Sequence, residues 1–159
     1  WGLNRDDLVT AWVALTPATS ESGCMKMAPG SHRAGRMAHT DTHAEDNILH
    51  RGQEVRGADL SRAVDVVLAP GQASLHHGWV LHSSGFNTSG DRRIGLSFQY
   101  AATSMRQTVG EGESATLVRG EDRYGHFAPE PACERDFAPE AVAFQREIER
   151  RKHQVYDGA

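Results

Sequence analysis

The chain has 159 residues, 38% hydrophobic and 24% charged, which is long enough for one domain with a hydrophobic core of its own. A formal net charge of -4, with no block of Lys and Arg, excludes the electrostatic pattern of a nucleic-acid-binding protein. No apolar run approaches the roughly 20 residues that cross a bilayer, and the two cysteines form no CxxC pair, so we expect a reduced, cytoplasmic protein with no membrane partner.

The first part of the chain predicts short strands separated by turns. Residues 8–15, rich in Val, Leu and Trp, form a strand that is expected to be buried on both faces. A shorter strand at 24–27 ends at the turn-forming Pro-Gly-Ser sequence of residues 29–31. The polar stretch 34–61 predicts a long loop, and a loop of that length inside a compact domain is usually functional.

More strands are expected in the middle of the chain. Alternating apolar residues at 64–68 and at 73–77 flank a Pro-Gly turn and predict a hairpin. Residues 79–83 and 93–101 are strand candidates separated by a run of turn-forming residues, and a further strand is expected at 115–118. Short strands at even spacing predict an all-β sandwich or barrel with helical additions.

A helix is predicted near the C-terminal end. Pro139 suits the first turn of a helix, where its missing N–H group has no partner to lose, and the helix should run to about residue 155. We therefore expect a single domain over residues 1–159, with the β core in residues 1–118 and the helix in residues 136–155.

The strand candidate at 93–101 has one apolar and one polar face. Period-two alternation puts Arg93 on the polar face, together with small polar residues. By itself, such a strand is most often an ordinary solvent-facing strand. The sequence His-x-Ser-x-x-Asn-x-Ser that begins at His82, with Arg93 eleven positions after it, is much more specific.

These residues resemble the active-site sequence of the phytanoyl-CoA dioxygenase family of Fe(II)/2-oxoglutarate oxygenases. The resemblance extends over at least residues 1–107. It implies a double-stranded β-helix, the jelly roll of this superfamily and of cupin-like proteins, incomplete on its N-terminal side. The other stretches that carry it are TAWVAL at 10–15, GCMKMAPGSH at 23–32, AEDN at 44–47 and RGQ at 51–53.

The resemblance implies an Fe(II)/2-oxoglutarate-dependent dioxygenase that hydroxylates a small organic substrate with O₂. His82 would be the second histidine of a 2-His-1-carboxylate iron triad. Arg93 would bind the far carboxylate of 2-oxoglutarate through two parallel hydrogen bonds, and Ser84 would be a second contact to the same ligand. His76 and His77 project to opposite faces, so at most one can face the iron, and we expect both to pack or to support the site.

The other two triad ligands are expected outside the sequence. In relatives, a His-x-Asp pair precedes a Tyr-Trp-Gly-Leu-like stretch, and this chain starts with Trp-Gly-Leu at 1–3. Two substitutes have the right spacing, His39 with Asp41 and His43 with Glu45, but both follow the turn and are interpreted as residues of a loop over the cavity mouth. The sequence is either a fragment or a natural variant that no longer assembles iron.

Two other functions stay open. A catalytically silent jelly-roll module would bind a small molecule or a partner chain. A cupin-like metal isomerase or hydrolase would bind metal through several histidines without depending on 2-oxoglutarate. Self-association into a homo-oligomer is also left open, and the identity of the substrate is outside what the sequence determines.

Overall fold

The computed structural model describes residues 2–43, 52–110 and 112–157. The chain divides into two compact units, one formed by residues 9–100 and the other by residues 1–8 together with 101–159. Strands predominate in the described part, with one α-helix and one short 3-10 helix. The expectation of a single domain stays a prediction beside this division.

Ten strands and two helices follow each other in the described residues. The elements are β1 (Leu8–Ala14), β2 (Met25–Met27), a 3-10 helix (Ser31–Ala34), β3 (Thr40–Asp41), β4 (Gln53–Glu54), β5 (Val64–Asp65), β6 (Ala73–His77), β7 (His82–Ser84), β8 (Gly95–Ala101), β9 (Ser114–Ala115), β10 (Ala128–Pro129) and α1 (Pro139–Asp157).

Two three-stranded sheets form the larger part of the structure. The first sheet has the order β6-β1-β8 and the second the order β5-β2-β7. The strands β3 and β4 form a separate antiparallel ribbon, and β9 pairs with β10 in parallel. In the described residues β7 and β8 each lie at the end of their sheet, so each has an edge at which a further strand can pair.

The hairpin predicted from residues 64–68 and 73–77 is wrong. β5 is antiparallel to β2, whereas β6 is antiparallel to β1 in the other sheet. The Pro-Gly turn between them therefore carries the chain from one sheet to the other. Alternation of apolar residues is a local property that predicts a strand, but it does not predict the partner of that strand.

The pairing of β1 with β6 determines which side chains share a face of the first sheet. Thr10 is opposite His76 and Trp12 is opposite Ser74, so these four side chains project from one face. The other face carries Leu75, which is 74% exposed. One face thus carries polar side chains and an aromatic ring, and the other is apolar except for His77, which is opposite Val9.

Burial on both faces, expected for the first strand, is also wrong. Val9 in β1 and Leu15 just after it are 42% and 49% exposed, because the apolar face of the sheet is open to solvent in the described part of the chain. Among the residues whose burial is described, the buried hydrophobic ones are Leu8, Ala11, Ala14, Ala18, Cys24, Met25, Met27, Ala28, Met105, Ala138 and Ile148.

The second unit contains the C-terminal helix. It begins at Pro139, as the sequence predicts, and ends at Asp157. On this helix Glu147 accepts hydrogen bonds from Arg150 and Arg151, which lower the pKa of its carboxyl group to about 2. None of the helices in the described residues has the length and apolar character needed to span a bilayer.

Among the residues whose burial is described, Met105 has the largest side chain with no exposure, so Met105→Ala should lower the free energy of unfolding by roughly 2–5 kcal/mol through lost burial and an unfilled cavity. Urea denaturation followed by circular dichroism measures this change. Val118 lies in the same unit and is 69% exposed, so Val118→Ala is the control and should change stability by less than about 0.5 kcal/mol. Equal effects of the two substitutions would contradict the burial of Met105.

Candidate active site

The second sheet and the start of β8 bring the predicted site residues together. His82 and Ser84 lie two residues apart on β7, so their side chains project from the same face. Arg93 lies just before β8, in the other sheet, and its Nη2 donates a hydrogen bond to Ser84 Oγ at 3.2 Å. The guanidinium of Arg93 and the imidazole of His82 therefore lie on a shared side, between the two sheets.

An aromatic ring supports the guanidinium of Arg93. The Cζ atom of Arg93 lies 5.3 Å from the centroid of the Trp12 ring, within the range of a cation–π interaction. A Cβ atom on Gly95 would overlap the indole of Trp12, so the missing side chain at this position leaves room for the ring. The guanidinium of Arg93 thus lies over the Trp12 ring and donates a hydrogen bond to Ser84.

A backbone carbonyl determines which nitrogen of His82 can bind a ligand. His82 Nδ1 lies 2.9 Å from the carbonyl oxygen of Val80. A carbonyl oxygen only accepts hydrogen bonds, so in the neutral ring the proton is on Nδ1. The lone pair is then on Nε2, which is the arrangement of a metal-binding histidine whose other nitrogen is held by a backbone carbonyl.

A second imidazole lies beside His82. The ring of His76, on β6 of the other sheet, has its centroid 5.5 Å from that of His82. Its Nδ1 lies 3.4 Å from Ser74 Oγ. Burial, and to a smaller extent the neighbouring His82, lower the pKa of His76 below the ordinary value of 6.5. The neutral form of His76 is therefore favoured at neutral pH.

His77 has different partners from His76, as the alternation of β6 predicts. Its Nδ1 accepts a hydrogen bond from the backbone N–H of Trp79 at 3.1 Å, and its ring centroid lies 5.2 Å from that of His32. A neutral His77 must then carry its proton on Nε2. His77 packs and accepts a hydrogen bond, whereas His76 faces the candidate site.

Of the two substitute pairs, the structure describes His39, Asp41 and His43. Asp41 belongs to β3, where its Oδ1 accepts a hydrogen bond from Gln53 Nε2 at 3.0 Å. His43 has a positive φ of 49°, and Glu45 lies outside the described residues. Within residues 2–43, 52–110 and 112–157, no group of three or more His, Cys, Asp or Glu side chains could hold a metal ion. The interpretation of both pairs as loop residues stays a prediction.

Reasoning from the sequence left open which of His76 and His77 faces the site, and it used Trp12 only as part of the resemblance. Alternation in residues 8–15 and 73–77 puts each on a defined face of its own strand. It does not show that both faces are turned toward His82 and Arg93, because that depends on how strands distant in sequence pair.

The sequence profile of the phytanoyl-CoA dioxygenase family, PhyH, matches residues 1–95. The chain belongs to the phytanoyl-CoA dioxygenase family. A homologue of phytanoyl-CoA dioxygenase domain-containing protein 1 from Caenorhabditis briggsae is 31% identical to this PhyH member over 100 residues, which are 55% of this chain and 32% of the relative. The 1-deoxypentalenic acid 11-beta-hydroxylase of Streptomyces arenae is 33% identical to this chain. The match covers 57% of this chain and 32% of the hydroxylase. This chain spans about a third of the length of these curated relatives.

Solved structures confirm the expected jelly roll. The non-heme monooxygenase ThoJ in its apo form superimposes with a TM-score of 0.81 at 35% identity, covering 98% of this chain and 56% of ThoJ. EvdO2 from Micromonospora carbonacea var. aurantiaca, complexed with 2-oxoglutarate, superimposes with a TM-score of 0.52 at 33% identity. The superposition covers 58% of this chain and 37% of the EvdO2 chain. The strands described above are part of the fold that the chain shares with these two proteins.

The lowered pKa of His76 predicts a dependence of stability on pH. A histidine whose pKa is lower in the folded protein contributes stability that is present above the unfolded value of 6.5 and is lost as the pH falls through the folded pKa. We expect the melting temperature of the metal-free protein to fall as the pH is lowered from about 7 to 5. The fall should be smaller in His76→Gln. Parallel curves for the two proteins would contradict the burial of His76.

Proposed function

We propose that this chain contributes an iron ligand and the 2-oxoglutarate-binding residues of an Fe(II)/2-oxoglutarate-dependent dioxygenase that hydroxylates a small organic substrate with O₂. In this proposal His82 binds iron, and Arg93 and Ser84 bind 2-oxoglutarate. The observation that carries the proposal is the hydrogen bond from Arg93 to Ser84. It puts a planar cation on the same face as the free Nε2 of His82.

Arg93 is suited to bind one end of a diacid. A guanidinium offers two parallel N–H groups to a carboxylate, and it stays charged at all relevant pH values. Its contact with Trp12 limits rotation of the plane, so less conformational freedom is lost when a carboxylate binds. Ser84 adds a hydroxyl group that can donate to the same carboxylate, while its oxygen keeps the hydrogen bond from Arg93.

The imidazole nitrogen of His82 is suited to bind iron. Neutral imidazole nitrogen is a common ligand of Fe(II), and the Val80 carbonyl orients the His82 ring so that Nε2 is the available atom. When bound, iron and 2-oxoglutarate supply the oxidising chemistry of a hydroxylation, while the protein supplies position and exclusion of water. ThoJ has also been solved as a nickel complex, and EvdO2 has been solved with 2-oxoglutarate. These similar structures support a transition-metal ion and 2-oxoglutarate as ligands of this chain.

The open edge of β7 in the described residues supports a location for the remaining ligands. β7 carries His82 at one edge of its sheet, and both His82 and Ser84 are exposed. A strand that carried the expected His-x-Asp pair and that paired with this edge would bring a second histidine and a carboxylate beside His82. The location of that pair ahead of residue 1 stays a prediction.

Anaerobic addition of Fe(II) and 2-oxoglutarate tests the proposal through the visible charge-transfer absorption of the complex. We expect His82→Ala to abolish the absorption. Arg93→Ala should weaken 2-oxoglutarate binding by about a hundredfold or more, because it removes two hydrogen bonds to a charged group that contribute roughly 1.5–3 kcal/mol each. The matched control is Arg92→Ala, which removes the adjacent, exposed guanidinium and should leave the absorption unchanged.

Each other outcome supports a different function. A folded chain that gives no absorption with Fe(II) and 2-oxoglutarate would indicate the catalytically silent jelly-roll module. Metal binding that is unaffected by 2-oxoglutarate and by Arg93→Ala would indicate the cupin-like metal enzyme.

The loop interpretation of His39 has its own test. His39 is exposed and precedes β3, so His39→Ala should leave metal affinity unchanged in the folded protein. Isothermal titration calorimetry with Fe(II) or Co(II) measures the affinity, and His82→Ala provides the positive control. If His39→Ala abolishes binding while the protein stays folded, the loop supplies the missing ligand.

A further inference from the structure

We propose that Thr16 is a positioning residue for Arg93, whose hydroxyl group holds the backbone on both sides of the arginine and thereby sets the position of the guanidinium. The inference deepens the proposed function and rests on it in one respect, that Arg93 binds the far carboxylate of 2-oxoglutarate. It assigns no contact between Thr16 and the ligand. Thr16 acts through the position of Arg93 alone.

The hydroxyl of Thr16 bridges two backbone groups that flank Arg93. It donates a hydrogen bond to the carbonyl oxygen of Arg92 at 3.0 Å, and it accepts one from the backbone N–H of Ile94 at 2.8 Å. A threonine hydroxyl has one donor and two acceptor positions, so it can make both bonds at once. The backbone before and after Arg93 is therefore bonded to one oxygen atom from a segment that is distant in sequence.

These two bonds limit the direction in which the Arg93 side chain leaves the backbone. Each peptide unit is planar, so the backbone at Arg93 turns only about the two single bonds of its Cα atom. The Arg92 carbonyl belongs to the peptide unit before that atom, and the Ile94 N–H belongs to the unit after it. Because both units are bonded to one oxygen, both torsions are restricted, and with them the direction of the Cα–Cβ bond.

Regular pairing between β1 and β8 does not supply this constraint. β8 begins two residues after Arg93, and Thr16 lies two residues after the end of β1. Beyond these ends, the backbone N–H groups of Leu15 and Thr16 both donate to the carbonyl oxygen of Ile94, at 2.9 and 3.2 Å. Those bonds hold the residue after Arg93, whereas the hydroxyl of Thr16 also reaches the carbonyl before it.

The direction of the Arg93 side chain matters because its guanidinium is far from the backbone. The guanidinium lies over the Trp12 ring and donates a hydrogen bond to Ser84, and both contacts require the side chain to leave the backbone in one direction. Groups that bind a ligand must be held within about 0.5 Å and 10–20° of the productive geometry. A long side chain enlarges any rotation at its Cα atom, so restricting the backbone lowers the cost of bringing two parallel N–H groups to a carboxylate.

The affinity for 2-oxoglutarate, measured through the anaerobic Fe(II) charge-transfer absorption, tests the role of Thr16. Thr16→Val keeps the shape of the side chain and removes the hydroxyl, so 2-oxoglutarate binding should weaken about two- to tenfold while the affinity for Fe(II) is unchanged. Thr16→Ser keeps the hydroxyl and should keep the wild-type affinity. The matched control is Thr88→Val, because the Thr88 hydroxyl donates to the carbonyl of Glu21 at 3.1 Å and does not flank Arg93. Equal weakening in both valine variants would overturn the proposal.

A double-mutant cycle tests whether Thr16 acts through Arg93. In the Arg93→Ala protein, Thr16→Val should have no further effect on 2-oxoglutarate binding, because the group that it positions is gone. Full additivity of the two substitutions would overturn the proposal. Thr16→Ala is the second variant if valine disturbs folding, and thermal unfolding monitors the fold of each protein.

A readout without ligand separates this inference from the proposed function. In the wild type the NMR signal of the Arg93 Nε–H proton, identified by its loss in Arg93→Ala, should be shifted upfield by the ring current of Trp12. The shift should be smaller in Thr16→Val and unchanged in Thr16→Ser and Thr88→Val. An unchanged signal in folded Thr16→Val would overturn the positioning role. If the signals change as expected but the wild type binds no 2-oxoglutarate, the proposed function fails and the positioning of Arg93 stands.

Discussion

The hydrogen bond from Arg93 to Ser84 joins the two sheets at the point where the candidate site lies. It connects the start of β8 in one sheet to β7 in the other. Because side chains alternate along a strand, the same contact requires that His82 face the same side as Ser84. A shift of β7 by one residue would turn both away from Arg93, so the register of this short strand determines whether a site exists at all.

Backbone groups then give neighbouring histidines different chemistry. His82 faces a carbonyl and therefore keeps its lone pair on Nε2, whereas His77 faces an N–H group and keeps its lone pair on Nδ1. His76 differs from His77 by one position in β6, but it projects from the opposite face and lies beside His82. The role of each histidine thus follows from its face and from the backbone atom that its Nδ1 meets.

The residues of the site differ in how far they could be predicted from the sequence. The spacing from His82 to Arg93 allowed both residues and Ser84 to be predicted, because all three lie in one short segment made of two predicted strands and the turn between them. Trp12 and His76 lie far away in sequence, and their part in the site depends on the pairing of β1 with β6 and on the contact between the sheets. The prediction of a hairpin from residues 64–68 and 73–77 was wrong for the same reason, because the partner of each strand is distant in sequence.

The sequence by itself determined the family and the alternation of polar and apolar faces along the strands, and it predicted His82, Ser84 and Arg93 as residues of the site. These follow from alternation with a period of two and from a motif confined to a short segment. Only the tertiary structure decided which strands are neighbours, that Gly95 leaves space for the indole of Trp12, and that His76 meets His82. Strand pairing joins residues that are distant along the chain, and a local repeat contains no information about such partners.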